Sequence, residues 1–122
     1  MIEKFINKQQ GDAITALLEG EESNHFRALM NDIIDTINEM PKTYETDGQG
    51  DEAVAYLHYF IGNMDWYITE KDMEEDQFQA FGLADLGYGQ ELGYICIQEL
   101  IDAGAELDLY FAPKKLKDIK NC

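Results

Sequence analysis

The sequence predicts an α+β domain, with N-terminal helices packed on a four- to five-stranded, mainly antiparallel sheet and one late short helix. Three observations predict it. An apolar stripe of helical period runs from Phe26 to Met40. β-forming and aromatic residues crowd the chain beyond position 52, whereas Phe5, Phe26 and Tyr44 are the only aromatics before it. The links between the later segments are short, which favours antiparallel pairing.

In chain order, Ile2, Phe5 and Ile6, then Ala13, Ile14, Leu17 and Leu18, suggest two short helices around 3–9 and 12–19. Gly11 separates them and Asp12 is placed to cap the second. Phe26, Leu29, Met30, Ile33, Ile34, Ile37 and Met40 recur at three- and four-residue steps and predict an amphipathic helix over 24–40. Ser23 or Asn24 can accept from the free N–H groups of its first turn. Pro41 stops it, because the residue before a proline is pushed out of the helical region. Residues 41–52 carry two glycines and no periodicity, so they read as a loop.

Ala53 to Ile61 then reads as a strand, Gly62 to Asp65 as a hairpin turn and Trp66 to Thr69 as the returning strand. Glu70 to Asp76 is an acidic connection, and Gln77 to Leu83 a third strand. Asp85 to Glu91 is a glycine-bearing loop before a fourth strand, Leu92 to Ile97. A short helix over 98–103 ends at Gly104, and a last strand, Leu107 to Phe111, stops at Pro113. The tail, 114–122, is basic and is expected to fray. The chain thus divides into a helical extension (1–22), an amphipathic helix (24–40), a strand-rich meander (53–111) and the tail, all within a single domain spanning 1–122.

Several short strings carry a resemblance. They are Met40-Pro41-Lys42-Thr43-Tyr44-Glu45-Thr46-Asp47-Gly48, Tyr56-Leu57-His58-Tyr59-Phe60, and Asp65-Trp66-Tyr67-Ile68-Thr69-Glu70 with Asp72. Ala80-Phe81-Gly82, Glu91-Leu92-Gly93-Tyr94-Ile95 and Glu106-Leu107-Asp108-Leu109-Tyr110 follow in order. Over residues 24–116 the sequence resembles a family of small single-domain proteins of unassigned function carried by bacterial plasmids, conjugative elements and phages. The resemblance implies a bacterial cytoplasm and an accessory role on a mobile element, and it leaves residues 1–22 outside.

Charge narrows the class of partner. Against 25 Asp and Glu stand 9 Lys and Arg, a formal net charge of −16. Such a surface repels phosphate backbones and anionic membranes, so neither nucleic acid nor a membrane is expected as a direct partner. No apolar run is long enough to span a bilayer, and the N-terminus carries no secretory signal pattern. Cys96 and Cys122 form no CxxC pair, and a reducing compartment is the simplest setting. By segment, residues 1–40 carry −5, residues 41–99 carry −11 and residues 100–122 are neutral. The acidity is therefore expected as a patch over the strand connections.

The first functional reading is non-enzymatic. A negative ridge of Asp65, Glu70, Asp72, Glu74, Glu75, Asp76, Asp85 and Glu91 would meet a basic host protein, imitating the charge of nucleic acid. The second is a small-ligand pocket or carboxylate-based enzyme at the aromatic hairpin, formed by His58, Trp66, Tyr67, Glu70, Glu91 and Tyr94. In its enzymatic form Glu70 and Glu91 would serve as acid and base. A third is an oligomerisation module, although the charge opposes self-association and points to a monomer or weak dimer. No metal or cofactor is expected: HxxxH, HExxH and CxxC are absent, and the glycines at 87, 89 and 93 lack dinucleotide-loop spacing. Cys96, in an apolar run, reads as an inert core thiol.

Overall fold

The computed structural model describes residues 2–21, 23–45, 49–74 and 76–120. The architecture is α+β. Helix α1 (Lys8–Leu18), helix α2 (Ser23–Glu39) and a short helix α3 (Ile97–Asp102) lie on one face of a five-stranded sheet. Its strands are β2 (Leu57–Ile61), β3 (Met64–Glu70), β4 (Ala80–Asp85), β5 (Gln90–Ile95) and β6 (Glu106–Leu107), in the order β5-β4-β3-β2-β6 with every pair antiparallel. A second, two-stranded pairing joins β1 (Val54–Ala55) to β7 (Lys114–Lys115), and helix α4 (Leu116–Lys120) follows.

Period and register explain the core. Met30, Ile33 and Ile37 project from one side of α2, and Met40 continues the stripe. They meet Leu57, Tyr59, Ile68, Ala80 and Ile95 from alternate positions of the strands. Tyr59 and Ile68 are fully buried, and the Tyr59 hydroxyl donates to the Phe5 carbonyl.

The opposite sheet face is covered by the other end of the chain. Leu116 and Ile119 are buried with Ala53, Ala55 and Leu83, and Tyr67 and Phe111 pack against them. The tail through residue 120 is therefore not a frayed end: its apolar positions are three apart on one turn of α4, and Leu116 N–H bonds Ala53 O.

Other differences from the sequence reading have local causes. The N-terminal region holds one α-helix after a single 3-10 turn at Ile2–Lys4, because Asn7 caps it by accepting from Gln10 N–H at 2.7 Å. Gly11 is carried inside that helix, at a cost of about 1 kcal/mol relative to alanine. Asp12 is not a cap but pairs with Lys8 one turn earlier. Residues 2–21 also pack intimately. Phe5, Ile6 and Ile14 join the main core, and the Gln10 side-chain amide exchanges two bonds with the backbone of Leu107. Gln10 thereby satisfies β6 where a further strand would pair, the usual remedy for an open sheet edge.

The first hairpin turns on Gly62 and Asn63 alone, with Gly62 at φ 58°. Strand β3 continues through Glu70, β4 starts only at Ala80, and β5 already includes Gln90 and Glu91. Of the last predicted strand, Leu107 to Phe111, only Leu107 pairs in the sheet, together with Glu106 just before it. Cys96 lies between β5 and α3, half-buried rather than in the core.

Candidate functional site

Register decides which candidate residues share a surface. On the face turned from α1, α2 and α3, His58, Tyr67, Leu83 and Leu92 align across β2, β3, β4 and β5. Phe60, Asp65, Asp85 and Gln90 form the next row. Trp66 and Glu91 both align with Ala84, on the helix-covered face, where Trp66 packs against the core.

Glu70 breaks this alternation. Two residues after Ile68, it should share that residue's face. The β3–β4 register shifts between Ile68 and Glu70, so Ile68 opposes Gly82 while Glu70 opposes Phe81. A bulge of this kind re-aims a side chain. It places Glu70 beside Thr69 on the face away from the helices, in the row of Phe81 and Tyr94. Gly82 permits the close approach: a Cβ there would lie 2.0 Å from the Tyr67 carbonyl oxygen.

The loop after α2 closes over this point. Thr43 N–H bonds Lys71 O and Lys71 N–H bonds Pro41 O, so residues 41–43 run alongside the end of β3. The Lys71 ammonium donates to the carbonyls of Ile37 and Asn38 at the end of α2. Burial, with the Lys42 ammonium nearby, lowers its pKa. Tyr44 adopts φ 78°, a left-handed conformation rare for a bulky residue, and its N–H donates to Glu70 Oε1 at 3.0 Å.

The result is a cavity of about 340 Å³. Its buried floor is Thr43, Thr69 and Glu70; Tyr44, Phe81, Leu92 and Tyr94 wall one side, and Gly50, Ala53 and Leu116 the other. Glu70 is only 3 % exposed. The Tyr94 and Tyr44 hydroxyls meet at 2.6 Å. Tyr94 stands edge-on to both neighbouring rings, at 76° to Tyr44 and 87° to Phe81.

Of the pocket read from the sequence, this cavity gathers Glu70 and Tyr94. Trp66 and Glu91 are on the other face, so Glu70 and Glu91 do not share a site and cannot act as an acid–base pair. His58 and Tyr67 form a separate cluster: the His58 ring stacks on Tyr67 at 4.6 Å, with Asp65 at Nε2 (2.7 Å) and Asp108 at Nδ1 (3.0 Å). Thr43, Tyr44, Thr69, Phe81 and Leu92 were missed as lining residues. The available signal was the set of short strings quoted above, four of which converge on this cavity.

The acidic ridge is also redistributed. Glu70 and Asp72 are buried; both Asp72 oxygens accept backbone N–H groups, from Glu74 and Gln79. The buried Gln77 amide closes the same loop on Asp72 and Glu74. Asp85 holds the second hairpin by accepting from Gly87 N–H, and Asp65 serves His58. Glu74, Asp76 and Glu91 remain exposed, while Glu75 lies outside the described residues. Exposed carboxylates stand equally on α1 (Asp12), α2 (Asp32, Asp35, Glu39) and α3 (Glu99, Asp102). The acidity is a coat, not the patch expected over the strand connections. Among the described residues no group of three or more His, Cys, Asp and Glu is placed to hold a metal ion, and no helix is long and apolar enough to cross a membrane.

A family model spans residues 28–116, which include the whole sheet and every residue lining the cavity. The chain belongs to the DUF2958 family. The family's description is of proteins of unknown function. Neither the comparison with curated proteins nor that with solved structures gives a match. The family region excludes α1, although in this DUF2958 protein α1 completes the core and protects the β6 edge.

Proposed function

We propose that this DUF2958 protein is a non-enzymatic, acidic interaction protein of a mobile genetic element, acting in the bacterial cytoplasm. It binds a basic, nucleic-acid-handling host protein, of the restriction or CRISPR type, and blocks it. The observation that carries this reading is the net charge of −16 spread over helical and sheet surfaces alike. A coat of this density produces a long-range field that steers a basic partner and weakens as salt rises. Because exposed carboxylates stand on helices and strands alike, the partner would be held by the field and shape of the whole domain rather than by a ridge of loop carboxylates. The test is capture of partners on the tagged protein from a bacterial lysate at low salt, followed by elution at high salt. A nucleic-acid-handling protein in the eluate, released from its substrate by the added protein, supports the reading. An eluate without one overturns it.

The Glu70 cavity favours a second reading, a ligand-binding domain. Its aromatic walls and the one carboxylate among its described lining residues are the features of a small-ligand site, and its volume is at the lower end of the usual range of roughly 300–1,000 Å³.

A further inference from the structure

We infer that the Glu70 cavity binds an organic monocation: an ammonium group carrying apolar substituents, as in a methylated amine. The inference deepens the ligand-binding reading and rests on it. It does not depend on the proposed host partner.

The lining fixes the sign of the ligand. Among the described lining residues Glu70 is the only charged side chain, and the cavity sits in a domain of net charge −16. An anion would meet both the carboxylate and the surrounding field; a cation is favoured by each. The walls fix its character. Tyr94 stands at a steep angle to both Tyr44 and Phe81, with centroid separations of 6.3 Å (Tyr44–Tyr94) and 5.7 Å (Phe81–Tyr94). Non-parallel rings present negative ring faces from more than one direction, the arrangement that recognises quaternary ammonium groups.

The polar groups point the same way. Thr69 donates to Phe81 O, and Thr43 Oγ1 lies 2.7 Å from Gln79 O and 3.0 Å from Lys71 O. These hydroxyls are spent on the protein's own carbonyls. A hard metal ion takes six or more oxygen ligands, and the described lining offers it a single carboxylate among mostly apolar groups. An alkylated ammonium needs only a counter-charge and apolar contact.

Two backbone irregularities meet at this site. The bulge turns Glu70 into the cavity, and the positive φ of Tyr44 brings its N–H to the Glu70 carboxylate. A non-glycine residue in that region is strained and persists only where its surroundings over-determine it. Here both distortions converge on one carboxylate.

The test is titration of the full chain with choline, followed by NMR of the Tyr44, Phe81 and Tyr94 ring signals, with equal sodium chloride as the ionic control. 3,3-Dimethylbutan-1-ol, the uncharged isostere of choline, runs in parallel. The inference expects saturable shifts with choline, binding of the alcohol at least about tenfold weaker, and a similar loss in Glu70→Gln, which retains an acceptor for the Tyr44 N–H. Tyr94 is 57 % exposed, so Tyr94→Leu should fold and also weaken choline; it serves where Glu70→Gln does not fold. Equal binding of choline and the alcohol would overturn the inference while leaving an apolar ligand site. No saturable shift with either would overturn both. A short peptide bearing trimethyllysine separates the sources of the cation: tighter binding than choline assigns it to a protein side chain, weaker binding to a free small molecule.

Discussion

The two faces of the sheet share the same strands but are covered in opposite ways. The helix-covered face is a continuous apolar core in which residues 60 positions apart interlock, and Leu57, Ile68 and Ala80 are 0–3 % exposed. The other face is covered by a short C-terminal segment and carries a histidine between two carboxylates, exposed aromatics and a cavity with a carboxylate in its floor. Polar groups and open space are costly in a core and are retained where a surface does something else. The difference therefore teaches that the packed apolar core is concentrated on one face and the polar groups, exposed aromatics and open space on the other. Substitutions can test that division.

The most damaging change should be Gly82→Ala. Its methyl group would stand 2.0 Å from Tyr67 O and 3.0 Å from Ile68 Cα, both backbone atoms that move only if β3 and β4 separate. A loss of about 4 kcal/mol or more, in the exceptional range for a point change, is expected in urea unfolding. An unchanged midpoint would mean that the strands do not approach at the bulge, and the placement of Glu70 would fall with it.

Next comes a matched pair. Ile68→Ala, in the helix-covered face, should cost about 2–5 kcal/mol. Phe111→Ala, in the cover of the other face, should cost roughly 1–2 kcal/mol, since a half-buried ring has less apolar area to lose. Equal losses would erase the distinction between the faces. His58→Leu should fall in a similar range to Phe111→Ala, about 1–3 kcal/mol, because it keeps apolar volume but leaves Asp65 and Asp108 without their shared partner. If it were neutral, the cluster would contribute nothing to holding Tyr67 and Phe111.

The same division separates what the sequence makes legible from what it hides. The stripe from Phe26 to Met40 and its stop at Pro41 are local periodicities, and the helix follows them closely. The α+β order and the antiparallel hairpins follow from composition and short links. The cavity depends on pairings between distant segments. Nothing in Trp66-Tyr67-Ile68-Thr69-Glu70 announces a bulge; simple alternation sends Glu70 into the core, and only its register against Phe81 corrects this. Asp72 has the same composition signal as Asp76, yet one binds two backbone N–H groups and the other faces water. Lys114 to Lys120 looks like a frayed basic tail because its two buried residues, Leu116 and Ile119, find their partners some 60 residues earlier.

The smallest expected effect concerns how the second face is held. Glu52 accepts from Lys115 at 2.9 Å and from Lys117 at 3.0 Å, tying the C-terminal cover to the turn before β1. The hydrogen bond from Lys115 and then that from Lys117 hold the Glu52 carboxyl below its ordinary pKa, and the same contact raises Lys117. For a carboxyl lowered in the folded state, the contribution is fully present above its unfolded pKa, near 4.5. It is lost as pH falls through the lower folded value. The bridge is solvent-exposed, so global stability should scarcely register it. Amide exchange should: between neutral pH and about pH 3, after correction for intrinsic rates, Leu116 and Ile119 should lose protection while Ile37 and Ile68 keep theirs. Glu52→Gln should give that loss already at neutral pH. Loss of protection on both faces together would show that the C-terminal cover and the helix-covered core open as one unit, and the division between them would not extend to their dynamics.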